Sequence, residues 1–182
     1  MAELGKFALV GGTCLALRFG HRKSIDLELS NPFPFSNDDL LQKLHFAFPS
    51  FMTNSAINAL GVFGYINNIK VDFVKHNNFQ LIKPIVVVDG IRMFSNEGVC
   101  HFTKRTKKDF WDIAELLKHY TIEQFITAYE QKYPNNQMLI SLNYAIAYFD
   151  DANEIEDPVS LNGQTWEGVK EIIRKAVRDY LS

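Results

Sequence analysis

Three acids, Asp26, Glu28 and Asp72, are the residues of this sequence best suited to do chemistry together. Asp26 and Glu28 lie in the alternating run Ser24 to Leu29, where Ile25, Leu27 and Leu29 fall on one face of a strand and the two acids on the other. Strand residues two apart have Cα atoms roughly 7 Å from each other, so such oxygens can converge on a divalent cation. Asp72 adds a third carboxylate from a later strand, pointing away from Val71 and Phe73, and an acid among such apolar neighbours needs a partner. The set suits Mg2+ or Mn2+, which take oxygen ligands and keep several positions for water and phosphate. Gly11-Gly12-Thr13 ends the apolar run Phe7 to Val10 and reads as a tight turn before a helix, where bare backbone and N–H groups at a helix start favour phosphate oxygens.

The chemistry this arrangement serves is in-line displacement at a phosphoryl group, with Asp72 assisting as ligand or base. Each piece also has a plain structural alternative. Gly-Gly-Thr is commonly only a turn, and Asp-Leu-Glu is commonly the solvated face of an antiparallel sheet. Arg22 and Lys23, just before the acidic strand, either hold triphosphate or form a solvated turn.

The elements that must position these residues can be read along the chain. Pro32 and Pro34 make residues 31–36 a loop, and Ser36 with Asp39 starts a helix reaching about Phe48. Residues 61–65 and 68–74 suggest a hairpin, and the β-branched run Ile85 to Val88 a further strand. From Lys108 the period becomes helical, with Phe110, Ile113, Ala114 and Leu117 in one stripe. Thr121 with Gln124 caps a second helix, Met138 to Phe149 reads as a third, and Asp150 to Gly163 as loop. Thr165 precedes a last helix with the stripe Val169, Ile172, Ile173, Ala176, Val177 and Tyr180. The expected organisation is an α/β core over residues 1–88 and a helical C-terminal lobe over 89–182, with the site in the cleft between them.

Composition narrows the function classes. At 182 residues, 47% hydrophobic and 22% charged, the chain has ordinary globular make-up, and its formal charge of -2 gives no global positive field for nucleic acid. Cys14 and Cys100 lack the spacing of a zinc site or disulfide framework, and the five histidines show no metal spacing. No leader or run of roughly 18 apolar residues is read, so the expected location is the cytoplasm, without a membrane partner. Trp111 and Trp166, at helix starts, are expected to pack.

Gly11-Gly12-Thr13 followed by Asp26-Leu27-Glu28, with Asp72 on a later strand, resembles the signature of the DNA polymerase beta type nucleotidyltransferase superfamily. The strings at residues 7–29, 68–74, 104–117, 147–152 and 165–173 resemble the AbiEii/AbiGii toxin family nearly end to end. That resemblance implies a mixed-sheet nucleotidyltransferase core and a metal-dependent toxin of abortive-infection or toxin-antitoxin type. It implies transfer of a nucleoside monophosphate from a nucleoside triphosphate to an RNA, such as tRNA, or to a protein acceptor, and a cognate antitoxin as partner. Carried across residue by residue, it assigns Gly11, Gly12 and Thr13 to the nucleotide-binding turn and Asp26, Glu28 and Asp72 to the metal. The Lys108-Asp109-Phe110-Trp111-Asp112 run matches the family's Lys-Asp motif and puts Lys108 with the nucleotide and Asp109 with the catalytic residues. Independently, Asp109 and Asp112 occupy the first turn of a helix, where acids stabilise the dipole.

The sequence departs from that pattern at Ser95 to Phe102, where relatives carry an Ala-Met-Lys segment whose lysine faces the nucleotide. Arg92, Lys104 and Arg105 are candidate substitutes. The competing reading is therefore a catalytically weak nucleotide-binding or protein-interaction module that retains the fold.

Overall fold

A computed structural model describes residues 4–54, 60–75, 106–132 and 142–182. The chain divides into two compact units, Met1–Cys14 with Ser24–Val88, and Leu15–Lys23 with Asp89–Ser182.

The first unit is built on a mixed sheet. Among the described residues its strands are β1 (Ala8–Val10), β2 (Leu27–Asn31), β3 (Met52–Thr53), β4 (Gly61–Ile66) and β5 (Ile69–Lys75), in the order β1-β2-β5-β4-β3. β2 and β5 run parallel at the centre, and the other neighbours are antiparallel. The hairpin β4–β5 turns through Asn67 and Asn68, whose φ values of 50° and 66° suit the twist of a tight hairpin and a residue type that tolerates them. Gly61 opens β4 where a Cβ would sit 1.9 Å from the carbonyl oxygen of Phe73, so β4 lies against β5 only with glycine there.

One face of this sheet is closed by α2 (Asn37–Ala47), whose N-cap Ser36 accepts the amide of Asp39. Leu40 and Leu44 of α2 meet Phe7, Phe51, Val62, Val71 and Phe73 in one apolar core, with Leu27 and Leu29 packed against it. The period-2 alternation thus sends Val71 and Phe73 inward and leaves Asp72 on the opposite face. β2 starts later than its alternation predicts, at Leu27, and Ile25 is 70% exposed instead of sharing the core face. The ladder to β5 begins only at Leu27, opposite Val71, so residues before it have no strand partner to hold that register.

The helix α1 (Gly11–Phe19) begins at Gly11 itself, so the glycine pair opens the helix instead of preceding it. Gly11 has φ 78°, a conformation glycine adopts without strain. Its first turn belongs to the first unit and the rest to the second.

The described part of the second unit is helical: α3 (Lys107–Leu116), α4 (Ile122–Lys132), α5 (Leu142–Ile146), α6 (Asp150–Asn153) and α7 (Trp166–Leu181). Its core is aromatic. Trp166 stacks on Trp111 at 5.8 Å and meets Phe110 and Phe149 edge-on, as aromatic quadrupoles prefer. Both tryptophans are packing residues, as their positions predict. Thr121 and Gln124 cap α4 reciprocally, and Thr165 caps α7 through the amide of Gly168. In α7 Val169 and Ile173 are fully buried, whereas Tyr180 is exposed, so the apolar stripe is used in its first half.

Two local readings differ. The third helix ends at Ile146, short of Phe149, and its expected start at Met138 lies outside the described residues. The stretch read as loop from Asp150 contains α6, because burying Ala152 beside Phe149 outweighs the turn preference of its Asp and Asn residues. The strand expected at 85–88 and the interval 95–102 also lie outside the described residues.

Candidate functional site

The parallel ladder places Glu28 of β2 directly opposite Asp72 of β5. Asp26 precedes Glu28 by two residues, immediately before the strand, and is half-buried. Thr13, in the first turn of α1, fixes that approach: its hydroxyl donates to the Asp26 carbonyl and lies 2.6 Å from the Ser24 hydroxyl. A hydroxyl has one proton, so Ser24 donates to Thr13 and Thr13 to Asp26. The Gly-Gly-Thr motif therefore holds the main chain of the first acid. Ser24 is a positioning residue that its type and place alone did not reveal.

Asp72 is 5% exposed. Its Oδ2 accepts from the Lys70 ammonium at 2.7 Å, and its Oδ1 is buried with no hydrogen-bond partner among the described residues. The hydrogen bond to Asp72 raises the pKa of Lys70, burial pulls the other way, and the charges of Asp72, Glu28 and Asp26 add to the rise. One ammonium thus feels Asp26, Glu28 and Asp72 together. Sequence reading missed Lys70, although its place two residues before Asp72 on the same strand puts it on the acidic face.

The structure joins these acids through backbone register and not through converging oxygens. Among the described residues no group of three His, Cys, Asp or Glu side chains stands ready to hold a metal ion, and Asp72 is engaged at Oδ2 by Lys70. The donor set nonetheless suits a hard divalent cation: carboxylates from adjacent extended segments, one oxygen desolvated and without a partner.

The remaining candidate residues belong to the second unit. Arg22 is 3% exposed and forks onto Asp112, Nε to Oδ1 at 2.7 Å and Nη2 to Oδ2 at 2.5 Å. His21 Nε2 lies 2.6 Å from the same Oδ1, while its Nδ1 is buried without a partner among the described residues. Lys23 is exposed, and its amide donates to the Val159 carbonyl while the His21 carbonyl accepts from Leu161. Lys108 is exposed at the start of α3. Lys107 beside it is buried, paired with Asp157 at 2.7 Å and lying over the Trp166 ring, which commits it to packing. Lys104 and Arg105 lie outside the described residues.

Asp109 closes the start of α3, its Oδ2 accepting from the amide of Thr106 at 2.7 Å and from its hydroxyl at 3.1 Å. Burial raises its pKa above the ordinary 3.8, and the Thr106 hydrogen bonds only partly offset that. A carboxyl whose folded pKa is raised contributes stability that is present below its unfolded pKa and lost as pH rises through the folded one. Asp109→Asn keeps an acceptor for Thr106 and has no charge to bury. In urea melts, its stability relative to wild type is expected to improve from pH 4 to pH 7; an unchanged difference across that range would show that burial does not penalise the Asp109 charge.

Residues 2–78 match the family described as Nucleotidyl transferase AbiEii toxin, Type IV TA system, a span that contains the glycine pair, Thr13, Asp26, Glu28, Lys70 and Asp72. The chain is also 26% identical over 190 residues to an uncharacterized protein of Aquifex aeolicus (strain VF5), covering 96% of this chain and 88% of that protein. A crystal structure described as a "putative nucleotidyltransferase" from H. pylori aligns with a TM-score of 0.46 and 14% identity, over 97% of this chain and 89% of that one. No described helix is long and apolar enough to cross a membrane.

Proposed function

From an AbiEii nucleotidyltransferase match that holds the whole acidic strip, we propose that this chain transfers a nucleoside monophosphate from a nucleoside triphosphate to a hydroxyl of RNA, with tRNA as the acceptor class. The observation that carries the reading is Asp72: a buried carboxylate directly opposite Glu28 with one oxygen left without a partner. Asp26, Glu28 and Asp72 would hold Mg2+ or Mn2+. The metal, when bound, supplies charge neutralisation on the triphosphate and a lower pKa for the attacking hydroxyl.

The residues of the chain do the rest. Thr13 and Ser24 fix the main chain that carries Asp26, and the N–H groups at the start of α1 would receive phosphate oxygens. Asp72, through a carboxylate oxygen not held by metal, takes the acceptor proton as the new oxygen–phosphorus bond forms and the bond to the β-phosphate oxygen breaks, releasing pyrophosphate. Lys108, exposed at the head of α3, and Lys23 are the described cations assigned to the nucleotide, and Asp109 is retained as a catalytic candidate. As a member of a type IV toxin-antitoxin system, the protein would work in the cytoplasm beside a cognate antitoxin. The missing lysine of the 95–102 interval makes transfer slow, since one such contact is worth about 100-fold to 1000-fold in rate.

The test is incubation with α-labelled nucleoside triphosphates, Mg2+ and total tRNA. Label on RNA that is lost when metal is withheld agrees with the proposal. Nucleotide binding with no transfer to RNA or protein would favour the non-catalytic module.

A further inference from the structure

We infer that Lys70 is a displaceable internal cation: it holds Asp72 in the metal-free protein, yields that carboxylate to the metal, and then turns to the triphosphate. This rests on the reading of Asp26, Glu28 and Asp72 as the metal-binding strip. Like charges directly opposite one another on neighbouring strands are destabilising, and the register puts Glu28 opposite Asp72. Asp72 is also buried, where an unpaired carboxylate is costly.

The chain answers both problems with the one ammonium. Lys70 stands two residues before Asp72 on β5, bonds Oδ2 at 2.7 Å and is drawn by Glu28 and Asp26 as well. Its side chain is 39% exposed, so a flexible four-carbon stem can swing away into solvent while Asp72 stays in place. The bond is monodentate and leaves Asp72 Oδ1, buried and without a hydrogen-bond partner among the described residues, for a cation to take up as Lys70 swings away from the other oxygen. Once released, the ammonium remains beside the strip that binds the metal, within reach of the anion the metal brings. Lys70 is thus a positioning residue for the free protein and a phosphate contact for the loaded one.

The experiment is a titration of the purified full chain with Mn2+ alone, following free Mn2+ by electron paramagnetic resonance, and then with Mn2+ plus inorganic triphosphate. Removing a positive charge next to a cation site strengthens cation binding, here by roughly tenfold. Lys70→Met is therefore expected to bind Mn2+ alone about tenfold tighter than wild type, and triphosphate in the presence of Mn2+ about tenfold more weakly. Lys70→Arg keeps the charge and should follow wild type in Mn2+ affinity. If Lys70→Met does not fold, Lys70→Gln, which still donates to Asp72, carries the same expectations. Mn2+ affinity unchanged or weakened in the neutral variant overturns the inference. Asp26→Asn separates the two levels: lost Mn2+ binding there with unaltered binding in Lys70→Met leaves the metal strip standing and removes only Lys70, whereas no Mn2+ uptake by wild type removes both.

Discussion

Asp112→Ala is expected to cost about 3–5 kcal/mol of stability, because it strips the carboxylate from an arginine that cannot lose its charge. Arg22 is buried, directs two nitrogens of its guanidinium at Asp112, and shares that acid with His21. The penalty is the desolvation of a buried guanidinium that has lost its bidentate carboxylate, which exceeds the net worth of the pair itself. For a chain of this size the melting temperature should fall by roughly 10 °C. A compensated double variant, Arg22→Met with Asp112→Leu, removes both charges and should recover most of that loss. Thermal and urea melts of the single and double variants check this, and a single-variant loss below about 1 kcal/mol would mean that Arg22 finds other compensation within the fold.

A larger effect on rate is expected at the acids. Asp26→Asn, Glu28→Gln and Asp72→Asn each remove a charged ligand from the strip that would hold the metal, whose charge offsets the developing phosphoryl charge, and one such electrostatic contribution is typically worth about 100-fold to 1000-fold. Single-turnover transfer of labelled nucleotide should fall by that range in each variant. The losses should not multiply in the triple variant, because residues that act as one unit fail together. Asp26 and Glu28 are only half-buried, so their neutral variants should fold like wild type and the loss should be one of chemistry. Transfer in Asp26→Asn or Glu28→Gln within tenfold of wild type would place the reaction elsewhere.

The architecture around the strip was legible because it rests on local signals. Alternation put Val71 and Phe73 inside and Asp72 opposite, and the helix starts at Ser36, Thr121 and Thr165 follow from side chains that satisfy backbone N–H groups. What escaped were pairings between residues far apart or residues with an innocent local reading. Arg22 and Asp112 are 90 positions apart, so nothing in the surrounding turn shows that Arg22 is committed to a buried fork. Lys70 reads as a solvated strand lysine until the register sets Glu28 against Asp72 and makes a cation necessary. Ile25 fits the alternation by type, but ladder pairing starts two residues later and leaves it in solvent. Of the acids picked by spacing and family likeness, Glu28 and Asp72 fall opposite one another in the ladder. Spacing could not show that Lys70 engages one oxygen of Asp72.

Binding of metal and nucleotide at that strip is open to one direct measurement: the melting temperature of wild type and Asp26→Asn with Mn2+, with nucleoside triphosphate, and with both. A ligand that binds only the folded state stabilises it by mass action, about 2.7 kcal/mol at one hundred times its dissociation constant. Wild type should gain several degrees with Mn2+ and nucleotide together, more than the sum of the separate gains, and Asp26→Asn should lose that joint increment. An equal joint increment in wild type and Asp26→Asn would contradict the assignment of Asp26, Glu28 and Asp72 to the metal-nucleotide complex.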